Sequence, residues 1–298
     1  MAKAPQTMFG RPENPLAHVP ALTSFEPAPS IQIAYPNFED WTGLYDPVNQ
    51  RGQPWQREMQ ADMRRSHEKS VLHELGCIAR YAVGRAVLAE MTANAGQSVR
   101  IYPYDFLPRQ NFNAGTIAVT TANNERAAWV KDAPLAGANS RDARYVQHGD
   151  DGAIITGTGE GSDTRIFFTA RRHQGTDSAD DVLLHELTHA TRKVRGVVYR
   201  MPVSGGYGNL EEFLATLVTN MYRSEKKLQQ VHDYHGGSLD PSRFLESPLS
   251  PTPRGLIATF RSRQPQFFAA LARINLAFNP IRQVDTEHTA LLRRIESA

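Results

Sequence analysis

The sequence has little of several features that would narrow its class. It has one cysteine in 298 residues, Cys77, so internal disulfides are excluded and a disulfide-stabilised extracellular enzyme is disfavoured. No apolar run reaches the length of a transmembrane helix, and we therefore expect no membrane insertion. The formal net charge is only +2, and basic and acidic residues are interleaved without a basic stripe. This charge distribution argues against nucleic-acid binding.

The N-terminal region also lacks an apolar segment and is rich in proline instead. Without an apolar h-region, a standard secretory signal peptide is not expected. We expect either a cytoplasmic protein or one secreted by a route that needs no such signal, such as type III secretion into a host cell. Nine prolines fall in the first 55 positions, and no periodic pattern persists there. The sequence predicts a proline-rich arm over residues 1–58, disordered over 1–30 and extended over 31–58, followed by a folded domain over 59–298.

One short segment carries most of the recognisable chemistry. Residues 185–189 read H-E-L-T-H, an H-E-x-x-H motif. Histidines four residues apart on an α-helix lie on one face about one turn apart, so His185 and His189 can both reach one metal ion. Glu186 would lie beside that ion, where its carboxylate can act as general base toward an activated water molecule. The motif predicts one Zn²⁺ per chain.

The flanks of the motif predict a helix over about residues 179–195. Ser178 is a suitable N-cap, and Asp181 stands three residues later, as in a capping box. Asp180 and Asp181 complement the positive end of the helix dipole, and basic residues near the other end complement the negative one. Gly196 is a natural residue to end the helix.

A second helix, after the glycine-rich residues 205–208, offers a third ligand. Apolar residues recur at helical spacing from Leu210 onward, and Glu211 and Glu212 fall in the first turn. A catalytic zinc ion takes three protein ligands, so either glutamate can complete the set. Asn209 is a good N-cap, and Glu212 could instead close a capping box with it. We prefer Glu212 as the ligand, keep Glu211 as the alternative ligand, and leave open that neither binds metal.

These motifs resemble a known group of enzymes. An H-E-x-x-H motif followed by a glutamate on a second helix is the pattern of the gluzincin branch of zincin metallopeptidases. In that branch the glutamate ligand often opens a string E-x-x-(A/S)-D, which residues 212–216 match except at Thr216, where an aspartate would hydrogen-bond a ligand histidine. Clostridial neurotoxin proteases also place two adjacent glutamates here, and the second one binds zinc. Over roughly residues 70–235 the chain is similar to the NleD-type effector metallopeptidases that bacteria inject into host cells.

The resemblance implies a zinc-dependent endopeptidase that cleaves a protein of the host cell, with Glu186 as general base. Three alternatives stay open: a polymorphic toxin protease directed against rival bacteria, a metal-dependent amidase, and a catalytically inactive zinc-binding interaction protein. The expected partner is a protein or peptide substrate. The sequence does not give the oligomeric state, and a monomer is the working expectation.

The reaction also needs a donor to the developing oxyanion besides zinc. Several side chains after the motif could supply it, and the sequence does not rank them: Tyr207, Tyr222, His232, Tyr234 and His235.

The remaining patterns predict the fold class. Strands are predicted over residues 99–102, 112–122, 153–156 and 165–169, and helices over about 60–94, 253–263 and 265–278. Together they predict an α+β fold, in which a small mixed or antiparallel sheet packs on the zinc helix and the following Glu-Glu helix, with further helices at the C-terminus. The last predicted strand is the candidate for binding substrate as an additional strand.

Overall fold

The computed structural model describes residues 21–35, 54–93, 96–103, 117–120, 161–170, 178–199, 201–230 and 240–297. The strands are β1 (Ala21–Phe25), β2 (Ala28–Tyr35), β3 (Val99–Pro103), β4 (Ile117–Thr120), β5 (Thr164–Phe168), β6 (Pro202–Val203) and β7 (Gly208–Asn209). The helices are α1 (Pro54–Arg80), α2 (Ala82–Thr92), α3 (Ala179–Val194), α4 (Leu210–Glu225), α5 (Pro253–Arg263), α6 (Pro265–Ala272) and α7 (Pro280–Glu296), with a short 3₁₀ helix at Pro241–Glu246. The α+β prediction is confirmed.

Most predicted elements lie where the sequence places them. The strands predicted around residues 99–102, 112–122 and 165–169 correspond to β3, β4 and β5, and the predicted helix at 253–263 is α5. The helix predicted over residues 265–278 ends earlier, at Ala272, and α7 follows it as an additional helix. The strand predicted at 153–156 lies outside the described residues.

Five strands form a mixed sheet in the order β1-β2-β3-β5-β4. Strands β2, β3 and β5 are parallel to their neighbours in this group, whereas β1 and β4 run antiparallel to β2 and β5. Ile166, Phe167 and Phe168 of β5 are all buried, as in a strand covered on both faces. Because β5 is paired along both edges, the prediction that residues 165–169 receive a substrate strand is wrong.

The hairpin β1–β2 lies within residues 1–58, where the sequence predicts a proline-rich arm. Disorder is the wrong expectation for residues 21–30, whereas residues 31–35 are extended, as predicted. Ile31 and Ile33 pair with β3 and are buried in the same apolar core as α1 to α4. Full burial of such a side chain stabilises the fold by roughly 1.5–3 kcal/mol. Pro27 lies in the turn between the two strands, a position where its fixed φ is tolerated.

The helical pattern before β3 forms two helices instead of one. Tyr81 separates α1 from α2 and has an extended backbone, with φ −102° and ψ 149°. The carboxylate of Glu225, on α4, accepts hydrogen bonds from the backbone N–H groups of Ala82 and Val83 at 2.7 and 3.0 Å. Glu225 therefore supplies the first turn of α2 with acceptors that its own sequence does not provide.

Helix α3 is surrounded by other elements. It contacts β4 and β5 of the sheet, α1 and α2, and above all α4. Five of its apolar residues are fully or almost fully buried: Leu183, Leu184, Leu187, Ala190 and Val194. This packing brings the first turn of α4 against the middle of α3, where the H-E-x-x-H motif lies. Within the described ranges, no helix combines the length and apolar character needed to cross a membrane.

Candidate metal centre

Two histidines and a glutamate converge between α3 and α4. The Nε2 atoms of His185 and His189 are 3.2 Å apart, and Oε2 of Glu212 lies 3.3 Å from the first and 3.4 Å from the second. Ligand atoms about 2.0–2.1 Å from a tetrahedral ion lie roughly 3.3 Å from one another. The three donor atoms are therefore spaced as the ligands of one zinc ion would be.

The helix geometry explains why the two imidazoles meet. Four residues separate His185 from His189 on α3, and their ring centroids are 4.8 Å apart at an interplanar angle of 81°. Their side chains are only 12% and 11% exposed, whereas that of Glu212 is 37% exposed. The cluster is thus backed by the core and open to solvent on the side of Glu212.

The two glutamates next to the histidines differ in their electrostatic surroundings. Burial alone would raise the pKa of Glu212, but His189 and His185 beside it hold that pKa well below its ordinary value. Glu186 is only 4% exposed, and burial raises its pKa while His189 and His185 act in the opposite direction. Glu212 therefore carries the negative charge that a cation requires, whereas Glu186 has a raised pKa, as carboxylates that act in proton transfer often have.

Glu211 has a different partner, although it is next to Glu212 in sequence. Nε and Nη2 of Arg192 donate to its two carboxylate oxygens at 2.5 and 2.9 Å, and the backbone N–H of Tyr199 donates at 2.7 Å. Arg192 and Glu211 are both buried. Because these contacts occupy its carboxylate, the geometry favours Glu212 over Glu211 as a metal ligand.

The helix caps differ in part from the sequence prediction. Asn209 caps α4, since its side chain accepts from the backbone N–H groups of Glu211 and Glu212 at 2.9 and 3.2 Å. The side chain of Glu212 faces the histidines, so its predicted alternative role in a capping box is wrong. Ser178 occupies the N-cap position of α3, but its hydroxyl contacts Asp180 and makes no capping hydrogen bond to the backbone.

The acidic residues at the start of α3 bind side chains of α4 and the residue that follows it. Asp181 accepts from Nη1 of Arg223 at 2.7 Å and from Nζ of Lys226 at 3.0 Å. Asp180 accepts from Lys226 at 2.8 Å and from the hydroxyl of Tyr222 at 2.7 Å. These contacts fasten the N-terminal end of the motif helix to the C-terminal end of α4.

The oxyanion candidates have different outcomes. The hydroxyl of Tyr222 donates to Asp180 at 2.7 Å, which argues against a role as oxyanion donor, and its assignment stays a prediction. The ring of Tyr207 packs edge-on against Phe213, the residue after Glu212, at a centroid distance of 5.2 Å, and its assignment stays a prediction. The other three candidates lie outside the described residues: His232, Tyr234 and His235.

A network of buried polar side chains extends from Arg192 away from the ligands, and it is not predictable from the sequence. Nη1 of Arg192 donates to Gln264 at 3.2 Å, and the amide of Gln264 donates to Glu90 at 2.9 Å. Glu90 also accepts from Nε of Arg195 at 2.8 Å. This network joins α2 and α3 to the start of α6. Each partner is distant in sequence, so no local pattern marks it.

Comparisons with known proteins give no family for this chain. No protein-family model, no curated protein and no solved structure shows a significant match. The resemblance to gluzincins and to NleD-type effectors therefore stays a prediction, and the function rests on the geometry of the cluster.

Proposed function

We propose that this protein is a zinc-dependent endopeptidase. One observation carries the proposal: the donor atoms of His185, His189 and Glu212 all lie within 4.8 Å of one another. Two imidazoles and one carboxylate are a donor set of catalytic zinc sites, and three protein ligands leave the fourth position for water or substrate. The partial exposure of Glu212 agrees with a position that substrate can approach.

In this proposal the metal ligands, Glu186 and the ion pair behind them have different roles. Zn²⁺ held by the three ligands would lower the pKa of a water molecule and polarise the scissile carbonyl. Glu186 removes a proton from the attacking water and returns it to the leaving amine. The ion pair between Arg192 and Glu211 orients the first turn of α4 so that Glu212 faces the histidines.

The position of Glu186 favours an enzyme over a zinc-binding protein without activity. A structural zinc site uses its ligands to hold the fold and has no need of a further acidic group next to them. A carboxylate buried immediately beside the two histidines is what the proton transfers of peptide hydrolysis require.

Identification of cleaved proteins tests this proposal. Purified protein is incubated with lysates of host-type cells and of bacteria, with a chelator, without it, and with zinc restored after chelation. Mass spectrometry then identifies new protein N-termini. We expect a small set of new termini that disappears with the chelator and returns with zinc, and that is missing for a variant with both His185→Ala and His189→Ala. Identical termini from the parent and the double variant would refute the assignment of the site.

A further inference from the structure

Helix α1 carries a second cluster of side chains of the types that bind metals, formed by residues other than those of the cluster between α3 and α4. Residues 73–77 read H-E-L-G-C, so a cysteine stands where the α3 motif has its second histidine. The sequence alone favours an ordinary surface role for His73 and Glu74. In the structure, however, a ligand atom from each of His73, Glu74 and Cys77 lies within 4.8 Å of the other two.

The spacing of these atoms suits a tetrahedral metal ion. Residues three and four apart on a helix share a face, which places Cys77 next to both His73 and Glu74. The distance between Nε2 of His73 and Sγ of Cys77 is 3.8 Å. With a metal–sulfur bond of about 2.3 Å and a metal–nitrogen bond of about 2.0–2.1 Å, tetrahedral ligands would lie roughly 3.6 Å apart. A small side-chain adjustment is enough to reach that geometry.

The surroundings of the cluster favour a bound cation. The cluster contains the carboxylate of Glu74, and the carboxylate of Asp180 on α3 lies near enough to interact with it. Of the bases near the cluster, Lys226 is already paired with Asp180 at 2.8 Å, and Arg80 is exposed to solvent. His73 is exposed, whereas Glu74 and Cys77 are half-buried, so an ion can enter from solvent.

We propose that His73, Glu74 and Cys77 form a second binding site for a divalent cation of the zinc type. A thiolate and an imidazole select such ions over calcium and magnesium, which prefer oxygen ligands. On binding, the thiol proton is released to solvent and a metal–sulfur bond forms, with no change of oxidation state. All three ligands come from one helix, so the site is expected to bind more weakly than a site that joins two helices. This inference does not depend on the proposed peptidase activity.

Cobalt spectroscopy on the full-length protein tests the second site. A cobalt–thiolate bond gives an intense charge-transfer absorption in the near ultraviolet, and histidine and carboxylate ligands do not. Cys77 is the only cysteine of the chain, so any such band reports this site alone. We expect the band in the parent and in a variant with both His185→Ala and His189→Ala, and its loss in Cys77→Ser. Absence of the band at saturating cobalt would overturn the proposal, as would its persistence in Cys77→Ser.

Alkylation of Cys77 in the parent protein gives an independent test that uses zinc itself. Iodoacetamide reacts with the single thiol, and intact-protein mass spectrometry follows the reaction. Free zinc at about ten times its dissociation constant should slow the reaction roughly tenfold, because only the metal-free fraction reacts. An alkylation rate that does not change at any zinc concentration would contradict the site. His73→Ala should lose the protection by zinc while keeping the reactive thiol.

Discussion

Arg192 on α3 donates to both carboxylate oxygens of Glu211 on α4, at 2.5 and 2.9 Å, and both side chains are buried. Consecutive residues of an α-helix point about 100° apart. Fixing Glu211 against Arg192 therefore also fixes the direction of Glu212, which lies 3.3 Å from His185. The direction of a candidate metal ligand thus depends on a structural ion pair made by the residue before it in the same helix.

This division of roles predicts opposite effects for two matched substitutions. Glu211→Gln leaves the buried guanidinium of Arg192 without its counter-charge and should destabilise the protein by about 3–5 kcal/mol. Glu212→Gln removes a carboxylate that is 37% exposed, so the stability of the chelated protein should change less than for Glu211→Gln. Urea unfolding in the presence of a chelator measures both effects.

For zinc binding, the order of the two variants should be reversed, with the larger effect in Glu212→Gln. Zinc content after dialysis, measured in a Cys77→Ser background, should fall strongly for Glu212→Gln and remain near the parent value for folded Glu211→Gln. Equal zinc content in the two variants would remove the preference for Glu212 as the ligand.

A second prediction concerns Tyr222. Because its hydroxyl donates to Asp180 in a buried position, Tyr222→Phe should cost about 1.5–3 kcal/mol of stability, the usual range for a hydrogen bond to a charged group. The cleavage rate of the folded variant should remain within a few-fold of the parent rate. A fall of several orders of magnitude in rate with unchanged stability would instead place Tyr222 in the reaction.

A third prediction concerns the pH dependence of stability and involves His67 on α1, which belongs to neither metal-ligand cluster. Burial lowers the pKa of His67 from 6.5 to about 4, and Nε2 donates to the carbonyl of Ile101 at 3.3 Å. Between about pH 4 and pH 6.5 the unfolded chain therefore binds more protons at His67 than the folded protein does. The contribution of neutral His67 to the free energy of unfolding is fully present above about pH 6.5 and is lost as the pH falls toward 4.

Through this linkage, protonation of His67 alone should lower the free energy of unfolding by up to about 2 kcal/mol between pH 7 and pH 5. Urea unfolding of chelated protein at the two pH values should therefore show a smaller pH effect for His67→Gln than for the parent. His288→Gln, on an exposed part of α7, is the control and should behave like the parent. Equal pH effects in all three proteins would contradict the prediction.

The features that the sequence predicts well are those encoded locally. Helix α3 is recognisable because the motif, the acidic residues of its first turn and Gly196 at its end lie within one stretch of chain, and Gly196 has the positive φ, 65°, of a helix-ending glycine. The convergence of His185 and His189 follows from their spacing on that helix. The choice between Glu211 and Glu212 as metal ligand depends on contacts with α3. The sequence therefore gives only a preference for Glu212, and the pairing of Glu211 with Arg192 supplies the physical reason.

The features that the sequence misses depend on partners far along the chain. The burial of Arg192 follows from Glu211 and Gln264, neither of which lies near it in sequence. Strand order is equally non-local, and the apolar pattern of β5 fits an interior strand as well as an edge strand. In the hairpin β1–β2, apolar and polar residues alternate around Ile31 and Ile33, as in a strand. The nearby prolines favour the interpretation as an irregular arm instead.

The central claim is that Glu186 transfers protons beside a metal held by His185, His189 and Glu212. Zinc content and cleavage rate are measured for Glu186→Gln in the Cys77→Ser background, which leaves one site, with Glu296→Gln on the exposed end of α7 as the control. We predict one bound zinc in each protein and a rate roughly 10²–10⁴-fold lower for Glu186→Gln alone. A Glu186→Gln protein that binds zinc and cleaves its substrate as fast as the control would contradict the account.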